Sequence, residues 1–433
     1  MPALQKDVAS LVEERQDELL QILSDLIRFR TVSPPARNTV EAQQYVEAFL
    51  KKTGFETTSW DVFPNDPNVV GVKKGIDSAH YNSLIMNGHI DVADVGDISV
   101  WTVPPFELTK KDGFLYGRGT SDMKGALAVG LFAVKLLHDM DITLKGDLQI
   151  QSVIGEEAGE AGTLSCTEKG YTADFALVID GSDLHIQGQG GVITGWITVK
   201  SKEVFHDAMR MKMIHAGGGI KGASAIEKMM KIIEGLQELE RVWAVTKQYA
   251  GFLPGTNTIN PAVIEGGRHA AFVADECRLW ITVHFYPNET YQSVIEEIEH
   301  HLQCIAMADP WLREHPLYFK WGGKSMIEER GEIFPALELS RDHQAIRLLE
   351  QVHQQVMAAP AVVGMSKTVT DAGWLGEAGI PTAIYGPGKL EEAHAIDEKL
   401  AMKDLLDFTK TLVQFIPAWC NTKKANPNKN NRF

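Results

Sequence analysis

An apolar run in "LIMNGHIDVADVGD", Leu84 to Asp97, ends in His89 and Asp91, set two residues apart. Side chains at that spacing on a strand point to the same side, so imidazole and carboxylate can meet at the open end of a sheet. Four other stretches put acids or a histidine where an element ends. They are Asp122 in "GRGTSDMKG", Glu156 with Glu157 in "SVIGEEAGE", Asp180 in "LVIDGS" and His394 in "GPGKLEEAHAIDE". His89, Glu156, Glu157 and Asp180 fall at the carboxyl ends of expected strands, the edge where open α/β sheets bind ligands. Asp122 precedes a helix, whose dipole and free N–H groups favour an anion. Two imidazoles with several carboxylates suit zinc or cobalt. A shared carboxylate can hold two ions roughly 4 Å apart, the arrangement of metal-assisted hydrolysis. Of two adjacent glutamates, one can bind metal while the other takes a proton from water. No Ser-His-Asp elbow, P-loop or GxGxxG after a strand competes. Each residue alone has a plainer reading: a hydrogen-bonded structural histidine for His89, a helix N-cap for Asp122, a solvated turn for Glu156–Glu157, a turn residue for Asp180, a surface loop for His394. The strand periodicity aims all of them at one edge.

The elements that must position these residues follow from the hydrophobic pattern. Leu4, Val8, Leu11, Val12, Leu19, Ile22, Leu23, Leu26 and Ile27 keep helical spacing and predict one helix up to the "SPP" break. A second helix covers "EAQQYVEAFLKKTG". Strands "FETTSWDVF", "NVVGVKKG" and "NSLIMNGH" follow, then a helix after Asp122 and the strands "DLQIQSVIGE" and "DFALVID". This alternation predicts an α/β fold with a mixed, mostly parallel sheet and helices on both faces. Near Gly190 the pattern changes to β-α-β-β-α-β, the layout of a small α+β domain. Its first helix begins S-x-x-E, Ser224 to Glu227, a capping-box signature. After Gly322 the α/β pattern returns. The expected division is a catalytic domain of 1–190 and 323–433, with an inserted domain of 191–322. The polar tail "NTKKANPNKNNRF" reads as disordered.

The chain has 433 residues and a formal net charge of −15, with 44% hydrophobic and 23% charged residues. A soluble globular protein of more than one domain is expected. The acidic balance argues against nucleic acid or an anionic membrane surface as partner. No apolar run reaches spanning length, and the acidic, amphipathic N-terminus does not read as a signal peptide. Cys166, Cys277, Cys304 and Cys420 form no CxxC pair, which points to a reduced, cytoplasmic protein.

The five motifs, in this order and across nearly the whole chain, resemble those of the di-zinc amidohydrolase family. That family includes acetylornithine deacetylase, succinyl-diaminopimelate desuccinylase, aminoacylase and bacterial glutamate carboxypeptidases. The resemblance implies a di-zinc exopeptidase-like catalytic domain with a ferredoxin-like lid and dimerisation domain. It implies two divalent ions, Zn2+ or Co2+. His89, Asp122 and Asp180 would hold one ion; Asp122, Glu157 and His394 would hold the other. Glu156 would be the general base, and Asp91 would orient His89. A ligand or base lost from this set would mark a binding protein without hydrolytic activity; none is missing.

The family's lid carries a histidine that reaches a neighbouring subunit's site, followed after seven residues by Gly-x-Asn-Ala-Ile. "HAGGGIKGASAI" resembles this from His215, with Ser224 where asparagine is usual; His206 in "EVFHDA" is the alternative. Many relatives grip a substrate carboxylate with a lid arginine. Here "WITVHFYPNET" has His284 at that place, and a neutral imidazole is a poor carboxylate clamp. Asn260 and Gly386 are further candidates for substrate contact. "FRTVSPPARNT", "HIQGQGGVITGW" and the stretch from Pro254 to Thr290 are similar to one branch, the formylaminopyrimidine deformylases of thiamine salvage, whose substrate has no carboxylate. The implied substrate is a small N-formyl or N-acyl amine. N-acetylornithine and succinyl-diaminopimelate are the alternatives, and a homodimer through the lid domain is expected.

Overall fold

Three short apolar runs, Leu84–His89, Leu148–Val153 and Phe175–Val178, are buried along their whole length. In the computed structural model, which describes residues 2–34, 38–210, 222–322, 324–325 and 331–425, they lie side by side and parallel. Burial on both faces is the condition of central parallel strands, and it takes in the polar Asn87, Gln149, Gln151 and Ser152 as well. Leu84, Met86, Phe175 and Leu177 enter one core cluster, and Ile85, Ala176 and Val178 enter another. Alternate residues thus face opposite sides of the sheet, as period-two geometry requires. On the first side, the helix Lys124–Asp139 packs against the helices Gln16–Arg28 and Met402–Cys420. On the other, Ala372 and Leu375 of the helix Ala372–Glu377 close the core.

The chain divides into two units, Met1–Gln189 with Leu337–Phe433, and Gly190–Ala336. The first holds an eight-stranded mixed sheet. Its strand order is Glu56–Phe63, Asp66–Lys73, Leu148–Val153, Leu84–His89, Phe175–Val178, Thr382–Ile384, Ile186–Gln189, Val363–Ser366. The second unit is antiparallel. Its strands run Ile259–Gly266, Glu276–Phe285, Gly191–Lys200, Tyr318–Trp321 across the sheet. That places the second, third, first and fourth strands of the β-α-β-β-α-β layout side by side, the ferredoxin-like order. Helices Ala225–Thr246 and Tyr291–Ala308 share one core with it. The strand Gly331–Phe334 also pairs with Gly191–Lys200, at Val192 and Ile193, so this unit continues to Ala336.

Several expectations are corrected. The N-terminal helix is two helices, Pro2–Glu14 and Gln16–Arg28. The break falls at Arg15, whose guanidinium turns to Glu18 and Asp139 at 2.6 and 2.7 Å. The Ser224–Glu227 capping box is only half made: Ser224 makes no side-chain cap bond, while the Glu227 carboxylate faces the Ser224 N–H and also takes Arg210 at 2.6 Å. A box forms instead between Thr290 and Ser293, a pairing without the usual glutamate. The start of the tail is ordered, with Lys423 bridging Tyr81 and Lys424 3.1 Å from Asp174; residues 426–433 lie outside the described ones. The strands Ile186–Gln189 and Val363–Ser366 and the small sheet of Thr109–Lys111, Phe114–Tyr116 and Lys399–Ala401 are additions. They are too short for periodicity to reveal. Among the described residues, no helix is long and apolar enough to cross a membrane.

Candidate metal centre and active site

The three central parallel strands send their carboxyl ends to one edge of the sheet. His89 is the last residue of its strand and is fully buried. Its Nδ1 lies 2.9 Å from the backbone carbonyl of Asp91, and its Nε2 lies 3.1 Å from Asp122 Oδ1. The Asp91 carboxylate is not the partner expected of it. Its Oδ1 stands 3.7 Å from Nδ1, while its Oδ2 accepts from the Glu157 N–H at 3.2 Å. The residue therefore steadies His89 through its main chain and the Glu156–Glu157 turn through its side chain.

That turn is a single 3-10 turn, Glu156–Ala158, framed by Gly155 at φ 73° and Gly159 at φ 113°. Left-handed backbone at both ends suits glycine. It turns Glu157 towards His394, Oε2 to Nε2 2.8 Å, and Glu156 towards His89, Oε2 to Nε2 3.9 Å. Asp180 stands two residues beyond its strand, with Oδ1 accepting from the Gly181 N–H at 2.6 Å. Asp122 does not cap the helix that follows, because the cap position falls to Met123. Its side chain is left free to meet His89 and His394, the latter at 3.4 Å.

Two groups of ligand atoms result: His89, Asp122 and Asp180, and Asp122, Glu157 and His394. Within each group all atoms lie within 4.8 Å of one another. Asp122 belongs to both. The electrostatics are those of crowded carboxylates. Burial, then Asp122, pushes Glu157 up to about 7 and Asp180 up to about 6. Burial drives Glu156 well above the usual carboxylate range against the pull of His89, with Asp180 and Glu157 adding to the rise. Asp122 goes the other way: burial opposes, but hydrogen bonds from His394 and His89 outweigh it and hold it low. Hydrogen bonds to Asp122 and Glu157 raise His394 to about 10. Glu157 Oε1 and Asp91 Oδ1 are buried without a hydrogen-bond partner. Crowded acids, unsatisfied oxygens and two imidazoles make a donor set that fits divalent cations.

A cleft of about 240 Å³ opens on this set, walled by Thr368, Thr370, Lys389 and Leu390. Buried Gln189 holds the Thr370 main chain and hydroxyl through three hydrogen bonds. Gly386 does not line this cleft; it packs its bare α-carbon against the Asp180 backbone. His284 and Asn260 belong to the second unit. His284 is half-buried, and burial lowers its pKa, so it is neutral at pH 7; Asn260 is exposed. His206 is exposed and lies 2.9 Å from Asp207. His215 lies outside the described residues. Sequence reasoning missed Arg118, Glu398 and Asp371. All three are buried, and burial raises Asp371 to about 7 beside the other acids. Arg118 and Glu398 were legible only as neighbours of Asp122 and His394 within the same motifs.

An α/β sheet whose carboxyl edge gathers two imidazoles around a shared aspartate, with a ferredoxin-like unit inserted, defines the metallohydrolase class. The chain belongs to peptidase family M20/M25/M40, whose model matches residues 85–418. It is a hydrolase of amide bonds. It is 58% identical over 420 residues to an N-formyl-4-amino-5-aminomethyl-2-methylpyrimidine deformylase of Halalkalibacterium halodurans, covering 97% of this chain and 98% of that one. It is likewise 58% identical over 413 residues to the Bacillus subtilis protein of the same name, covering 95% and 97%. Among solved structures it is similar in fold to the Bacillus subtilis YXEP protein, described as a dinuclear metal-binding peptidase. The TM-score is 0.65 at 17% identity, covering 94% of this chain and 99% of that one.

Proposed function

We propose that this chain hydrolyses N-formyl-4-amino-5-aminomethyl-2-methylpyrimidine to formate and the free aminomethyl pyrimidine. The observation that carries the reading is the 58% identity to two such deformylases over nearly the full length. His284 in place of the family's arginine agrees with a substrate that has no carboxylate. His89, Asp122 and Asp180 would hold one divalent ion, and Asp122, Glu157 and His394 the other, zinc or cobalt by the mixed imidazole and carboxylate set.

The ions, when bound, acidify water and polarise the amide carbonyl. Glu156 belongs to neither ligand group, so its carboxylate is free to take the proton of the attacking water. It then hands that proton to the leaving nitrogen as the C–N bond breaks. Asp91 holds the His89 ring through its carbonyl and the glutamate turn through its carboxylate. Gln189 fixes the Thr370 wall against which the substrate rests. His215, brought by a second copy of the chain through the Gly190–Ala336 unit, is assigned to the oxyanion, in a cytoplasmic homodimer.

The test is a paired assay on zinc- or cobalt-loaded protein. Formate release from the formylated pyrimidine is compared with acetate release from N-acetylornithine. A kcat/KM at least a hundredfold higher for the pyrimidine is expected. Equal or reversed preference overturns the substrate assignment.

A further inference from the structure

Two of the five proposed ligands, Asp122 and His394, sit on loops rather than at the end of a central strand. Each loop also carries one fully buried charge: Arg118, 2% exposed, and Glu398, 0% exposed. They form an ion pair, Nη1 to Oε2 2.8 Å. Arg118 also donates to the Asp94 carbonyl at 3.0 Å, and the other bonds cross over. Glu398, four residues beyond His394, accepts from the backbone N–H of Asp122 at 3.0 Å and of Ser121 at 2.7 Å. Arg118, four residues before Asp122, donates to the backbone carbonyl of His394 at 3.2 Å. Each loop's charge thus grips the main chain at the other loop's ligand. The loops touch closely as well: a Cβ on Gly388 would lie 2.0 Å from the Ser121 carbonyl.

We propose that Arg118 and Glu398 are reciprocal positioning residues that set the spacing between Asp122 and His394. They thereby govern retention of the ion assigned to Asp122, Glu157 and His394. A buried ion pair is costly unless its geometry and hydrogen bonds are complete, and apolar residues of similar volume often serve stability as well. Here the set is incomplete, since Arg118 Nε is buried without a partner, and most of the bonds that are made go to the backbone of two ligand loops. The other ion is less exposed to their loss. His89 ends a central strand, and Asp180 is held by the Gly181 N–H, so that group depends on the clamp only through Asp122. The inference rests on the two-ion reading of the site.

The experiment uses the full-length protein, cobalt ions and a competing chelator, with stoichiometry from metal analysis and coordination from visible absorption. Wild type is compared with Glu398→Gln and Arg118→Lys, each nearly isosteric or charge-conserving. Asp309→Asn serves as a destabilised control, because that carboxylate pairs with Lys228 and Lys231 in the second unit. Loss of such supporting bonds costs a metal roughly 10- to 100-fold in affinity. That loss is expected for the second ion in both clamp variants, with the first ion held more nearly as in wild type. The kcat should fall with KM little changed, and excess cobalt should restore it. Asp309→Asn should melt earlier yet bind both ions normally. If Glu398→Gln does not fold, Arg118→Lys decides. Wild-type affinity for both ions in every folded clamp variant overturns the proposal. A wild-type protein that binds no cobalt overturns the metal reading itself, and the clamp with it.

Discussion

Gly386→Ala is a single added methyl aimed at a backbone. A Cβ at this position would lie 2.3 Å from the Asp180 carbonyl oxygen and 2.5 Å from that of Ile179. Neither atom can swing away as a side-chain tip would. Gly386 is itself held, its N–H donating to Ser182 Oγ at 3.0 Å and its carbonyl accepting from the Leu184 N–H at 2.9 Å. Ordinary contact begins near 3.4 Å, so the Asp180 segment must move by about 1 Å, a misplacement that can cost a catalytic group ~100-fold in rate. Overpacking of this kind also destabilises by about 1–3 kcal/mol. Gly364→Ala is the control, because a Cβ there meets nothing within 4 Å. The assay is formate release by ion-loaded protein, alongside ion affinity and the thermal midpoint. Gly386→Ala should lose about two orders of magnitude in kcat/KM and bind the ion assigned to Asp180 less tightly, with Gly364→Ala unchanged. A Gly386→Ala enzyme of wild-type activity and metal affinity would refute the reasoning that main-chain contact places Asp180.

Glu156→Gln should lower kcat by ~10²–10⁴ without changing ion stoichiometry, since Glu156 lies in neither ligand group; more than a tenth of wild-type kcat removes it as the base. Chelation should abolish activity and lower the thermal midpoint, because Asp122, Glu156, Glu157 and Asp180 are left crowded together. Adding zinc or cobalt should reverse both changes, and an active chelated protein contradicts the metal assignment. Asp309 would be pushed up by burial, but Lys228, Lys231 and the Leu312 and Trp311 amides hold it well below the usual carboxylate range. Its folded pKa lies below its unfolded value of about 3.9, so its stabilisation is complete above about pH 5 and is lost as pH falls through the acid range. The difference in thermal midpoint between wild type and Asp309→Asn should therefore be flat near neutrality and shrink in acid; a difference that does not change with pH refutes this.

The polar-to-apolar rhythm of the chain carries a good deal of this structure. Short runs rich in apolar residues identify the central strands, and their ends locate His89, Glu156 and Asp180 at one edge. Helical spacing locates the helix after Asp122, and the change of rhythm near Gly190 announces the inserted α+β unit. Short elements escape such reading. The helix Ala372–Glu377 holds too few residues for a period to register, and Asp371, buried at its start, was missed with it. The capping box at Ser224 is incomplete because the Ser224 side chain makes no cap bond, and the Glu227 carboxylate also takes Arg210, a partner no local pattern predicts.

By itself the sequence determined which chemical groups are available and at which ends of which elements, because side-chain direction on a strand or helix is a local property of the backbone. Only the tertiary structure decided which groups touch. It put the Asp91 carbonyl, not its carboxylate, on His89, and it closed Arg118 onto Glu398 across 280 residues. Contacts at that separation depend on strand order and on how loops cross. Those are set by the packing of the whole chain, and no local period encodes them.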